Sequence, residues 1–281
     1  MDPIQPVRVR AVDGSAETER EDALAVEEPL EIRLRETGAR EAVTFAITMR
    51  TPGQDEALAA GLLFAEGVLR APADLLELSR PADPRIDPEL AANVLVATLS
   101  PPAFARAGEL RRGTVMGSAC GVCGKTSIEN VIPSDRPPLA TGLEVAAKTL
   151  FSLPARLRER QSIFSRTGGL HAAGLFDGEG VLEAIAEDIG RHNATDKLVG
   201  GAFVSGGLPL EGRVLMVSGR AGFEIVQKAF AAGIPVVASV SAPSSLAVEL
   251  ADAGGMTLVG FLRGERCNVY THSRRIRVLP A

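Results

Sequence analysis

The spacing of apolar positions changes period along this chain, and the changes divide it into segments. "LEIRLRE" (residues 30–36) sets Leu30, Ile32 and Leu34 on one face, and "EAVTFAITMR" (41–50) continues the alternation with Val43, Phe45, Ile47 and Met49. Two period-2 runs joined by "TGAR" predict a β-hairpin with one buried face. In "TPGQDEALAAGLLFAEGVL" (51–69) the spacing turns helical: Pro52 and Asp55 mark a start, Leu58, Leu62 and Ala65 share a face, and Gly67 supplies a stop. "NVLVATL" (93–99) reads as a further strand. Residues 100–138 then lose periodicity. Pro101, Pro102, Pro133, Pro137 and Pro138 bracket a Gly- and Ser-rich stretch, which is expected to be mobile.

From about residue 140, helical and strand patterns alternate. Helices are predicted over 142–153 and 154–162, and "GLHAAGLFDGEGVLEAIAE" (169–187) reads as a hairpin turned at Asp177-Gly178. A helix follows from about Asn193, where Asn193 and Asp196 have capping-box spacing. Strand 213–218, helix 223–233, strand 234–240, helix 244–255 and strand 256–262 complete a βαβαβ unit, hence a largely parallel sheet covered by helices. The expected division is an acidic flexible tail (1–28), an N-terminal α+β domain ending in a mobile cysteine loop (29–140), and an α/β domain (141–281).

Composition narrows the class. With 281 residues, 46% hydrophobic and 23% charged, this is the balance of a soluble globular protein, and no apolar run is long enough to span a bilayer. The first residues lack an apolar targeting core, so a cytoplasmic location is expected, where three cysteines do not make a disulfide framework. The net charge of −5 resides in residues 1–28, which hold eight acids and three arginines. Residues 213–281 carry eight basic and four acidic side chains, a bias that suits a phosphorylated ligand as well as a solvated surface. Nothing resembles the basic clusters of a nucleic-acid binder.

The chemistry centres on "GSACGVCGK" (117–125), which holds Cys120 and Cys123. A structural zinc needs four ligands, and Cys267, His171, His192 and His272 form no second pair. Zinc nucleobase deaminases combine His-x-Glu with a later Pro-Cys-x-x-Cys. Here "HAA" (171–173) lacks the Glu, the cysteines come first, and Ala119 stands in place of the Pro. A redox dithiol would be favoured by adjacent Lys125, whereas Gly121 and Gly124 suggest a loop tip, suited to a cysteine that carries sulfur between partners. The spacing by itself leaves all three readings open.

Longer strings separate them. "EDIGRHNATDKLVG" (187–200), "SGRAGFEIVQKAFAAGIPVVASVSAPSSLAVELA" (218–251) and "LVGFLRGERCNVYTH" (258–272) resemble the FdhD family, the accessory sulfurtransferases of molybdenum formate dehydrogenases. "EEPLEIRL" (27–34), "TPGQDEALAAGLLFAEGV" (51–68) and "TGGLHAAGLF" (167–176) extend the resemblance over about residues 27–273. It implies a cytidine-deaminase-like mixed sheet covered by helices, with a smaller N-terminal α+β domain, and no metal chemistry. It also implies a reaction: Cys120 accepts persulfide sulfur from a cysteine desulfurase and delivers it to the molybdenum bis(molybdopterin guanine dinucleotide) cofactor of formate dehydrogenase. Cys123 would assist. The family's cofactor-contacting segment aligns with Phe261, Leu262, Arg263, Gly264, Glu265 and Arg266, and a homodimer is implied. The alternative from another class is a non-catalytic chaperone for the same cofactor.

Remaining motifs have plainer readings beside functional ones. "SGRAG" (218–222) is a phosphate-binding turn or simply a tight βα turn, and "SAPSS" (241–245) is a helix N-cap by default. His192, Asn193, Asp196 and Lys197 line a cleft, or Asn193 and Asp196 cap a helix. His171 reads as a hydrogen-bonded interior histidine and Cys267 as buried and inert. If the strands at 213–218 and 256–262 are parallel neighbours, Arg220, Arg263 and Arg266 converge on one rim where phosphate and guanine could sit; no other role is assigned to Arg220.

Overall fold

The computed structural model describes residues 1–81, 87–112, 138–139 and 142–278. Ile4–Asp13 (β1) and Ala16–Ala25 (β2) form an antiparallel ribbon. Glu28–Glu36 (β3), Val43–Arg50 (β4), Leu75–Ser79 (β5) and Val94–Leu99 (β6) form a sheet in the order β4-β3-β6-β5, carrying helices Asp55–Ala65 (α1), Pro88–Ala92 (α2) and Pro101–Arg112 (α3). Val145–Ala146 (β7), Ala147–Glu159 (α4) and Ser162–Thr167 (α5) lead into the second half. There His171–Phe176 (β8), Leu182–Asp188 (β9), Arg191–Val204 (α6), Val214–Val217 (β10), Phe223–Ala231 (α7), Val236–Ser239 (β11), Ser245–Ala253 (α8), Thr257–Arg263 (β12) and Arg266–Thr271 (β13) follow in turn. Ile276–Arg277 (β14) closes the described chain against β7.

The second sheet has the order β13-β12-β11-β10-β8-β9. Strands β10, β11 and β12 are parallel, as the βαβαβ pattern predicts, and β8 and β13 flank them antiparallel. Both faces are covered. Leu215, Val217, Val237 and Leu258 pack beneath α6, α7 and α8, while Val214, Met216, Val236 and Ala238 meet Leu150, Leu153 and Leu157 of α4. A strand buried on two sides needs apolar residues at every position, which explains the unbroken runs in the sequence.

Four expectations change. Residues 4–25 are a β-ribbon and not a loose tail. Arg8 lies opposite Glu21 and Arg10 opposite Glu19, and Gly14 takes the positive φ of 60° at the turn. Cross-strand charge pairing, invisible to composition, makes this ribbon. Pro101 and Pro102 open α3 in place of a loop, because a helix's first turn tolerates the missing N–H. The rest of that stretch, with Cys120 and Cys123, lies outside the described residues. The helices expected at 142–153 and 154–162 are one helix, α4, with Pro154 inside it. Its stripe of Leu150, Leu153 and Leu157 buries against the sheet and outweighs the local preference of proline. In β4 the pairing skips a residue at Phe45, with Ile32 opposite Ala46 and Arg33 opposite Thr44. That bulge buries Phe45 but turns Ile47 and Met49 outward, where alternation predicts them buried.

The two sheets are joined where α1 crosses α6. A Cβ built on Gly61 would lie 2.0 Å from the Asp196 carbonyl oxygen, and one on Gly200 would lie 1.9 Å from that of Ala57. The helices therefore touch backbone to backbone, and only glycine fits at either position. Gly200→Ala forces them apart and should lower the unfolding free energy by at least about 2 kcal/mol. Chemical denaturation measures it; a loss under about 0.5 kcal/mol would contradict the close crossing.

Candidate functional site

The parallel strands all end on one edge of the second sheet, where α/β folds usually hold their ligands. Hydrogen bonds tie the segments beyond the strand ends into a rim. Val240 N–H donates to the Val217 carbonyl (3.3 Å), Phe261 N–H to that of Ser241 (3.1 Å), and Arg263 Nε to that of Val240 (3.0 Å). The turn between β12 and β13 pairs Arg263 with Arg266, and Gly264 adopts φ 54°. Gly260 has no room for a side chain between Pro243, the Ser241 carbonyl and the Tyr270 ring. The pairing shifts register immediately beyond it, and Phe261 adopts φ 52°, a left-handed conformation that costs a non-glycine residue about 1–3 kcal/mol. That twist leaves Phe261 exposed.

Of the six residues aligned with the family's cofactor segment, Phe261, Arg263, Gly264, Glu265 and Arg266 lie at this surface. The Leu262 side chain is wholly buried in the core. Exposed Arg220, after β10, stands on the same edge, but β11 separates its strand from β12. The two strands are therefore about 10 Å apart and not neighbours, as convergence of the three arginines requires.

A second group of polar residues lies at the other end of this edge, where β10 meets β8. Ala172 N–H donates to Ser218 Oγ (2.8 Å), and Ser218 N–H donates back to the Ala172 carbonyl (2.9 Å). Gly219 follows against the His171 ring, where a Cβ would come within 3.3 Å of Nδ1. His171 is half-buried and faces Asp188 across the β8–β9 ladder. Burial, reinforced by the Arg191 charge, holds its imidazole below the usual histidine range despite Asp188, so the ring is neutral at neutral pH. His192, in the first turn of α6, places Nε2 3.1 Å from Glu224 Oε2 in the first turn of α7. The "SGRAG" turn leads straight into α7, which begins at Phe223 after Gly222 with no side-chain cap.

Asn193, Asp196 and Lys197 are neither caps nor cleft lining. Helix α6 starts at Arg191 after Gly190, and all three side chains are buried within it. Lys197 Nζ bonds to Asp188 Oδ2 (2.8 Å), the Thr51 carbonyl (2.9 Å) and the Glu187 carbonyl (3.3 Å). Asp188 also accepts from Thr51 N–H (3.2 Å), Gly190 N–H (2.9 Å) and Asn193 Nδ2 (3.0 Å). All three lysine donors are used, as a buried ammonium requires. One residue earlier, Asp196 pairs with Lys228 of α7 at 2.6 Å. Nothing in the one-dimensional pattern marks these contacts. Their only signal is that "EDIGRHNATDKLVG" carries more charge than a helix buried on every side admits.

The remaining candidates follow their plainer readings. Ser244 caps α8, its Oγ accepting from Ala247 N–H at 3.3 Å. Cys267 lies half-buried on β13, where burial pushes its thiol up and suppresses the thiolate. Among the described residues no three His, Cys, Asp or Glu side chains come together as metal ligands, and no helix is long and apolar enough to cross a membrane.

Comparison with known proteins agrees with the strings quoted above. The profile of the FdhD/NarQ family matches residues 25–277. A protein of Streptomyces avermitilis named sulfur carrier protein FdhD is 50% identical over 279 residues, covering 97% of this chain and 95% of its own. Proteins of the same name from Mycobacterium tuberculosis (48% identical; 96% of this chain, 97% of its own) and Saccharolobus solfataricus (43%; 95% and 96%) match almost as fully. A solved structure from Desulfotalea psychrophila, described as a formate dehydrogenase accessory protein, superposes with a TM-score of 0.72. It covers 98% of this chain and 100% of its own at 23% identity, a likeness of fold. The chain belongs to the FdhD/NarQ family.

The Asp196–Lys228 pair gives this region a pH signature. Burial pushes the Asp196 carboxyl up to about 6; Lys228 pulls it back, and Glu66 and Glu224 add to the rise. Because the folded value exceeds the unfolded one, the contribution to stability is complete below the usual carboxylate range and is lost as pH rises through about 6. Wild type should therefore gain stability relative to Asp196→Asn as pH falls from about 7 to about 4. Denaturation midpoints of both proteins across that range check this, and a flat difference would count against it.

Proposed function

We propose that this protein is a sulfurtransferase of the carrier type, working in the cytoplasm as a homodimer. It accepts persulfide sulfur from a cysteine desulfurase on Cys120 and passes it to the molybdenum bis(molybdopterin guanine dinucleotide) of formate dehydrogenase. The observation that carries this reading is the near full-length identity to relatives named as sulfur carriers, 50% in the first case, in a chain that retains Cys120-x-x-Cys123. The cofactor is cargo here. Its phosphate and guanine groups suit the β12–β13 turn, where exposed Arg263 and Arg266 offer planar donors and Gly264 lets the backbone approach. Cys123 would receive or displace the sulfur. Within the same proposal, the six-stranded mixed sheet is of the cytidine-deaminase type, used without its metal.

The chemistry is thiol exchange. The carrier thiolate attacks the outer sulfur of a donor persulfide, the donor thiolate leaves, and the protein undergoes no net oxidation. Cys120→Ala should abolish maturation of the recipient dehydrogenase in cells that carry only the variant. Active dehydrogenase at wild-type levels would instead favour a non-catalytic cofactor chaperone. GDP serves as a fragment of the cargo. Arg263→Ala should weaken its binding by about tenfold to a hundredfold, the loss of one charge-assisted contact, and Cys120→Ala should leave it unchanged. Calorimetric titration separates the two effects; equal affinity in wild type and Arg263→Ala would remove the turn from the binding surface.

A further inference from the structure

We infer that the crevice bordered by Arg191, His171 and Gly219 binds a phosphate or diphosphate group, at a place separate from the β12–β13 turn. Arg191 supplies the charge. Its Nε is buried and has no hydrogen-bond partner among the described residues. Arg33 and Arg275 also have a buried, unbonded Nε, but Glu31 and Thr257 engage their other nitrogens. Among the described residues no acceptor engages any nitrogen of Arg191. A guanidinium carries five donors, and leaving a buried one without an acceptor is costly. The neighbouring buried cations are all answered: Lys197 by Asp188 and Lys228 by Asp196.

The shape of the crevice comes from the 218–222 turn. A Cβ built on Gly219 would stand 3.3 Å from His171 Nδ1 and 3.8 Å from Arg191 Cδ. Any larger residue would fill the space that the two side chains border, and glycine leaves it open. No hydrogen bond within the described residues engages the His171 ring, which burial and Arg191 keep neutral. A neutral imidazole retains one N–H donor. The acids nearby are committed elsewhere. Asp188 accepts from Lys197, Thr51, Gly190 and Asn193, and Glu224 lies 3.1 Å from His192. Exposed Arg220 on the turn adds to the positive field.

Donors therefore approach from α6 and β8 beside an open turn, a geometry that suits a tetrahedral oxyanion gripped by a planar fork. Helix α6 also starts at Arg191 without a side-chain cap, so its dipole acts in the same sense. Strand β8 lies three strand spacings from β12, about 14 Å, so crevice and turn do not share one phosphate. On the carrier reading the cargo holds two dinucleotides and hence more than one diphosphate. The inference rests on that reading only for the origin of the group; free phosphate offers the same chemistry.

The test reads the three histidine rings of the full chain by NMR, with inorganic pyrophosphate and GDP as separate probes. Pyrophosphate should move the His171 signal saturably and raise its pH midpoint by at least about one pH unit, because a nearby anion favours the charged ring. His272, bonded to the Asp252 carbonyl at the opposite edge of the sheet, should stay in place and report intact folding. Arg191→Gln should weaken pyrophosphate at least about tenfold, the loss of one charge-assisted contact. Gly219→Ala changes no charge and should weaken it too, by filling the crevice. The probes separate the sources. GDP binding tighter than pyrophosphate, and weakened alone by Arg263→Ala, supports a group of the cargo. Equal binding of both, indifferent to Arg263→Ala, supports free phosphate at the same site. A His171 signal that neither probe moves overturns the inference. So does pyrophosphate affinity within about twofold of wild type in Arg191→Gln or, where that variant fails to fold, in Gly219→Ala. Either failure leaves the carrier reading standing, because that reading is tested at Cys120.

Discussion

A lysine and an aspartate buried side by side, Lys197 and Asp188, set the positions of everything near the candidate site. The pair lies 2.8 Å apart with side-chain exposures of 2% and 0%, and it closes around the backbone of Thr51, accepting from its N–H and donating to its carbonyl. Thr51 follows directly on β4, Asp188 ends β9, and Lys197 is in the middle of α6. One node thus joins the first sheet, the second sheet and the helix between them. Removing one partner from such a pair leaves an uncompensated charge and is typically worth about 3–5 kcal/mol, whereas the intact pair adds little net stability. Its value lies in geometry. With Asp188 fixed, the opposite residue on β8, His171, is fixed too, and α6 presents Arg191 and His192 at a set height.

The same helix is held from the other side by the glycine crossing with α1, so it has no freedom to slide. This rigidity matters at the carboxyl edge, where two chemically different districts share one rim. Around β12 and β13 the exposed groups are arginines on a tight turn, suited to anionic, hydrogen-bonding cargo. Around β8 and β10 lie two half-buried histidines with different neighbours, His171 beside Arg191 and His192 against Glu224. Backbone hydrogen bonds from Val240 to Val217 and from Phe261 to Ser241 link the two districts through β11. Family membership and the likeness to the Desulfotalea psychrophila protein bear on the fold that carries this rim.

How much of this was legible in the sequence depends on whether a feature is local. The βαβαβ unit was, because alternation of apolar strands and amphipathic helices survives without tertiary information. The β3–β4 hairpin was legible in outline, yet one bulged residue at Phe45 reversed the faces of Ile47 and Met49. Proline was misleading twice: at the start of α3 it is harmless, and inside α4 it is outweighed by three buried leucines. The N-terminal ribbon was missed because acidic composition hides the order of charges across strands. Arg263, Arg266 and Gly264 enter through resemblance to a family, and the structure leaves them exposed while it buries the Leu262 side chain. The His192–Glu224 contact was out of reach of any pattern, since it depends on how α6 and α7 pack.

The crowding of Gly260 against Tyr270 has an optical consequence. The chain has no tryptophan and a single tyrosine, and that tyrosine is 39% exposed on β13, beside the rim turn. The ring meets the backbone of β12 at the residue before the left-handed Phe261. All of the native emission excited near the tyrosine band therefore originates a few residues from Arg263 and Arg266, and the remaining body of the protein is dark. Whatever settles on that turn changes the surroundings of the one chromophore present, so the unlabelled protein carries its own local reporter there.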